Sequence, residues 1–209
     1  MTADHSLQYL SMAFLLGLSA GLSPGPLLTL VITQTIKYNK REGIKVAISP
    51  LITDTPIVLI ALFIFKKLTD FDIIIAMISL LGGLFIAYLG IDALRTKNIN
   101  LENKGLKSES YKKGIIANFL NPHPYIFWLT VNAPLVYKAY EHSPYAAVLY
   151  LLTFYSLLIG SKIIVAIIIS KTKNFIHQGW YSYIMKLLGF ALLFFSLLFF
   201  YDALKYFVQ

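Results

Sequence analysis

Ser23-Pro24-Gly25-Pro26 and Asn121-Pro122-His123-Pro124 share one pattern, a polar residue followed by Pro-x-Pro, and each lies deep inside an apolar stretch. Proline lacks an N–H and its ring clashes with the preceding turn, so each stretch predicts a broken helix. In a bilayer such a break strands backbone polar groups, which is tolerated only where protein or a water-filled cavity covers them. Paired interruptions in corresponding positions of two halves point to the substrate site of a transporter.

The composition around the breaks is that of a membrane protein. Apolar residues make up 57% of the 209, charged residues 13%, and the mean hydropathy is +0.69. A soluble domain carries roughly a quarter charged residues. Six apolar stretches are long enough to span, since about 20 helical residues cross the hydrocarbon. They are about Leu7–Ile36, Ile44–Phe65, Ile73–Leu94, Gly114–Val136, Ala146–Ser170 and Ser182–Tyr201. The first is too long for one upright helix, which agrees with a break at Pro24–Pro26. The longest connection, about 95–113, is too short to fold alone, so residues 1–209 read as a single transmembrane domain. A signal-peptide reading of the first stretch is set aside, because no Lys or Arg precedes Lys37. With no cysteine, disulfides and thiolate metal sites are excluded.

The net charge of +8 belongs to the connections. Lys37, Lys40, Arg41 and Lys45 flank the first, Arg95, Lys97, Lys104, Lys107, Lys112 and Lys113 the third, and Lys171 and Lys173 the fifth. Against these twelve, only Lys66, Lys67, Lys138 and Lys205 flank the second, the fourth and the C-terminal end. That bias predicts odd-numbered connections in the cytoplasm and both termini outside the cell membrane. Tyrosines near segment ends, such as Tyr38, Tyr137, Tyr140 and Tyr145, suit the interfacial belt. The cations orient the protein, and nucleic acid is not an expected partner.

The two halves repeat. Ser79-Leu80-Leu81-Gly82 matches Lys186-Leu187-Leu188-Gly189 at an offset of 107, and Asp92-Ala93-Leu94-Arg95 matches Asp202-Ala203-Leu204-Lys205 at 110. The Pro-x-Pro pair is offset by 98, in the same order. With three segments per copy, the second copy, about 112–209, must insert opposite to the first, about 1–97, about an axis in the membrane plane. The expected fold is therefore all-α, six transmembrane helices in a 3+3 inverted repeat, with helices 1 and 4 broken.

Asp54 and Lys162 lie near the middles of the second and fifth segments, 108 residues apart and so at nearly equivalent places. A charge at the bilayer centre costs at least about 2.5–3.5 kcal/mol, so neither should face lipid, and such residues mark transport pathways. The alternative is a buried ion pair that only fixes packing. New half-helices starting after the breaks would present free N–H groups near Leu27, Leu28 and Thr29, and near Tyr125, Ile126 and Phe127. Helix N-termini favour carboxylates. Asp54 can take an ammonium or carry a proton, and Ser23, Thr29, Asn118 and Asn121 add neutral hydrogen-bonding groups. This set suits a zwitterion such as an amino acid. A divalent metal wants several oxygen or imidazole ligands, and Asp54 is the one mid-membrane carboxylate. His123 is a candidate ligand or proton carrier, against a plain structural role. Gly17 and Gly21 form a GxxxG that lets helices approach, within the bundle or between subunits. Pro50 and Pro56 flank Asp54 and predict a kink there.

Gly21-Leu22-Ser23-Pro24-Gly25-Pro26 resembles the first-helix motif of the LysE/RhtB family of amino-acid exporters. The run Gly82–Arg95, with Ala87-Tyr88-Leu89-Gly90, is similar to its third-helix signature, and Asn118-Phe119-Leu120-Asn121-Pro122 resembles its fourth-helix motif. The chain departs from the family at His123-Pro124, where a Lys often follows the Asn-Pro. The resemblance implies a small efflux carrier for amino acids or related solutes, driven by an ion gradient, and lends weight to Pro24, Gly25, Pro26, Asn121 and Pro122. The expectation is a secondary transporter working by alternating access, with H+ or Na+ as the coupling ion and a homo-oligomer compatible with the sequence. No cofactor, metal site or catalytic group is expected. The rivals are a divalent metal exporter on a related scaffold and, further off, an intramembrane enzyme.

Overall fold

The computed structural model describes residues 2–64, 72–95, 109–172 and 178–208. The predicted loop cations Lys66, Lys67, Lys97, Lys104, Lys107 and Lys173 lie outside these residues. The described residues form helices and turns throughout.

The first apolar stretch forms two helices, α1 (Thr2–Leu22) and α2 (Pro26–Lys37), bent by 57° across residues 23–25. Pro26 starts α2, where its missing N–H costs nothing. Asn39 then caps α3 (Lys40–Ala47) by accepting the Arg41 N–H at 2.9 Å. A turn at Ile48-Ser49 leads to α4 (Pro50–Ile64), with Pro50 again at the first position and Pro56 inside the helix. The long helix α5 (Asp72–Arg95) completes the first half.

The second half opens with α6 (Ser110–Phe119) and breaks at Leu120-Asn121 before the short α7 (Pro122–Phe127). One wide π turn, Trp128–Asn132, joins α7 to α8 (Ala133–His142). Two long helices follow, α9 (Pro144–Thr172) and α10 (Gln178–Val208). Among the described residues, three helical runs are long and apolar enough to cross a membrane alone: Lys40–Ala61, Pro144–Thr172 and Tyr183–Lys205. The bent pair α1–α2 makes a fourth if it counts as one span.

The packing is crossed between the halves: α1 lies along α9, α5 along α10, and α6 against α3 and α4. Small residues permit the approach. A Cβ on Gly82 would overlap the Leu120 carbonyl, and one on Gly189 would meet the Gly90 carbonyl at 2.9 Å. Leu15, Leu59, Leu152, Phe190 and Leu197 are exposed, while Thr33, Gln34, Asp54, Asn118, Asn132 and Lys162 are buried. Apolar outside and polar inside is the pattern of a helix bundle in lipid.

The two ends differ. At one, Asp92 of α5 accepts Lys37 of α2 at 2.9 Å and Lys113 of α6 at 3.7 Å. At the other, the rings of Tyr9 and His142 lie 6.3 Å apart, bringing α1 to the α8–α9 turn.

Candidate functional site

The site begins with two glycines. A Cβ on Gly17 would press on the Phe154 carbonyl at 2.6 Å, and one on Gly21 would overlap Ser161 Oγ. The GxxxG therefore works within the bundle, seating α1 on α9. That close approach carries Lys162 of α9 to the end of α1. Its ammonium donates to the Ala20 carbonyl at 3.0 Å and the Gly21 carbonyl at 2.8 Å. Carbonyls of a helix's last turn lack partners inside the helix and form the negative end of its dipole. Lys162, 3% exposed, thus caps an interrupted helix from its neighbour.

Asp54, 4% exposed on α4, holds the other interruption. Its Oδ1 accepts from Asn118 Nδ2 at 2.8 Å and from Thr53 Oγ1 at 3.4 Å. Asn118 stands on the last turn of α6 and also donates to Thr53 Oγ1 at 2.5 Å. The Asn118 amide is the closest donor to this buried carboxylate and offsets part of its lost hydration. Among the described residues, no ion pair within 4.0 Å joins Asp54 to Lys162, although each acts on the other through its charge. The simple buried pair is therefore not what these two charges form.

Both charges line one cavity of about 510 Å³, together with Ser23, Pro24, Gly25, Pro26, Asn118, Asn121 and His123. Ser19, Ser23, His123 and Thr130 on its wall are exposed. His123 turns its ring edge onto Phe199, with centroids 5.8 Å apart. Gly25 is extended (φ −172°, ψ 177°), and a Cβ there would meet nothing within 4 Å.

Two expected residues stand apart from the cavity wall. The Thr29 N–H donates to the Gly25 carbonyl at 3.0 Å and closes the first turn of α2, leaving the free donors at Leu27 and Leu28. Pro122 is buried as the first residue of α7. The donors expected at Tyr125–Phe127 are also displaced, because α7 starts two residues earlier than the second proline suggests. Asn121 caps it by accepting the His123 N–H at 3.0 Å. In a helix starting there, Ile126 and Phe127 bond back to the carbonyls four residues earlier.

Trp128, Phe154 and Leu158 also line the wall, three apolar positions that the sequence alone does not single out. Trp128 offered a signal: a tryptophan mid-segment is away from the interface where the aromatic belt would put it. Ser110 Oγ donates to buried Gln34 Oε1 at 2.9 Å, a seam between α6 and α2, and Leu27, Leu30, Val31, Val46 and Ala117 belong to one buried apolar cluster shared by α2, α3 and α6. Among the described residues, no three His, Asp or Glu side chains gather where a metal ion would sit.

Comparison with curated proteins and with solved structures gave no match. The LysE type translocator family matches residues 18–203, most of the chain, and the protein belongs to that family of membrane transporters.

Proposed function

We propose that the protein exports amino acids or similar small zwitterionic metabolites across the cell membrane by alternating access. The observation that carries this reading is the pair of opposite charges, Asp54 and Lys162, sharing one cavity while each is held by a different broken helix. Two unpaired charges of opposite sign are complementary to a zwitterion. The substrate ammonium goes toward Asp54 and the acceptors at the end of α1 that Lys162 engages, and its carboxylate toward the free N–H groups of Leu27 and Leu28.

Six helices in a 3+3 inverted repeat are part of the proposal. Supporting it, Lys162 of the second half caps the first interrupted helix, and Asp54 of the first half engages Asn118 on the second. The Lys37–Asp92–Lys113 cluster, which joins the first and third connections at one end, supports a cytoplasmic end there. The Tyr9–His142 contact supports the N-terminus and fourth connection together outside. Alternating access then means opening the Gln34–Ser110 seam while the opposite end closes. A divalent metal exporter gains nothing from this geometry, since among the described residues Asp54 and His123 are the cavity's one carboxylate and one imidazole.

Inside-out vesicles test the reading directly. Vesicles carrying the protein should accumulate one or more labelled amino acids above control vesicles, and labelled Mn2+ or Zn2+ should not accumulate. Metal uptake without amino-acid uptake would replace this proposal with the rival one.

A further inference from the structure

We propose that Lys162 is the protein's own replacement for a bound metal cation at the end of the first half-helix, and that the proton it carries is what the transporter exchanges for substrate. This rests on the export reading above and adds the coupling site to it. Transporters with interrupted helices hold their coupling cation on carbonyls at a half-helix C-terminus. Here that place is filled. The Ala20 and Gly21 carbonyls are engaged by the Lys162 ammonium at 3.0 and 2.8 Å, from a side chain that is itself 3% exposed. A sodium ion has no room between such partners.

An ammonium differs from a metal ion in one chemical respect. It can leave the site in charge without leaving in mass. When α1 and α9 part, R–NH3+ gives one proton to cavity water and becomes R–NH2, the N–H bond breaking and its electron pair staying on nitrogen. The two carbonyls then lack a counter-charge, and a substrate ammonium can take them. Proton and substrate occupy the same two acceptors in turn, which makes the exchange one for one. The titratable groups facing Lys162 across the cavity are Asp54 of α4 and His123 of α7. Asp54 is oriented by Asn118 of α6 and its neighbour Thr53.

The test has two arms on the purified full chain. In detergent, thermal unfolding is followed in sodium chloride and in choline chloride at equal ionic strength. The parent and Lys162→Arg should show the same midpoint in both salts, whereas Lys162→Met, with its carbonyls vacated, should be stabilised by sodium specifically. Sodium stabilising the parent, or leaving Lys162→Met unmoved, would overturn the proposal. In proteoliposomes with the potential clamped, the parent should use one unit of pH difference to build about a tenfold gradient of labelled leucine, threonine or lysine in sodium-free medium. A sodium requirement, or pH-driven accumulation surviving in Lys162→Arg, would also overturn it. If none of these amino acids exchanges at all, the export reading fails, and the salt arm still decides the cation site.

Discussion

Lys162 bonds the Gly21 carbonyl at 2.8 Å across the α1–α9 contact, and the bond is possible because Gly21 has no side chain to hold the helices apart. Structure and site thus meet in one residue. Gly21→Ala drives a methyl onto Ser161 Oγ, an overpacking that costs about 1–3 kcal/mol. Thermal unfolding in detergent should show the loss, and adding Ser161→Gly should recover only part of it, because the Leu158 carbonyl still lies 2.9 Å from the new methyl. A Gly21→Ala protein as stable as the parent would mean that the contact is loose.

Neutralising one mid-membrane charge should be worse than neutralising both. Asp54→Asn or Lys162→Met leaves the other charge buried and less compensated, and strips Asn118 or the α1 carbonyls of a charged partner, a loss of about 1–3 kcal/mol. The double variant should regain stability yet remain unable to transport, since substrate binding needs a charge. Recovery of both properties in the double variant would reduce the pair to a packing device.

Pro24→Ala and Pro122→Ala probe the interruptions. Each substitution removes the clash with the preceding turn and supplies a missing N–H, so folded yield should hold or rise. Export should fall sharply as the helix ends leave the cavity. Export at the parent rate in well-inserted variants would show that the interruptions are ordinary kinks.

Topology is accessible because the chain has no cysteine. Arg41→Cys on α3 and Tyr145→Cys on α9 sit at opposite ends, both exposed. An impermeant thiol reagent added to intact cells should label the second and spare the first. The reverse pattern would invert the orientation.

The Asp92 cluster should act as a latch on the cytoplasmic end. Asp92→Asn releases Lys37 and Lys113 together. Ser110→Cys, buried in the parent beside Gln34, should then react several-fold faster with thiol reagent from the cytoplasmic face. An unchanged rate would show that the seam opens independently of these charges.

Much of the candidate site was legible because membrane physics penalises what built it. Prolines inside apolar stretches and two lone charges at mid-span are costly enough to be conspicuous, and Asp54, Lys162, Ser23, Asn118 and Asn121 all reach one cavity. What escaped reading was local. Position after a proline break makes Thr29 read as a free donor, yet its N–H closes the first turn of α2 on Gly25. The α7 start was misplaced because Asn121 caps it before the second proline. The π turn at Trp128–Asn132 leaves no mark in an apolar run. That Lys162 would choose helix carbonyls over Asp54 depends on how closely α1 and α9 approach, a distance that no spacing along the chain encodes.

Gly25 carries a different kind of consequence. Its backbone lies bare along the cavity wall in a conformation open to any residue, and a side chain there would touch no neighbour. Most wall positions answer both to folding and to cargo, so a change that alters fit also risks the bundle. At Gly25 those demands come apart. Size selectivity can drift there, one methyl or one hydroxyl at a time, with the scaffold indifferent to the outcome.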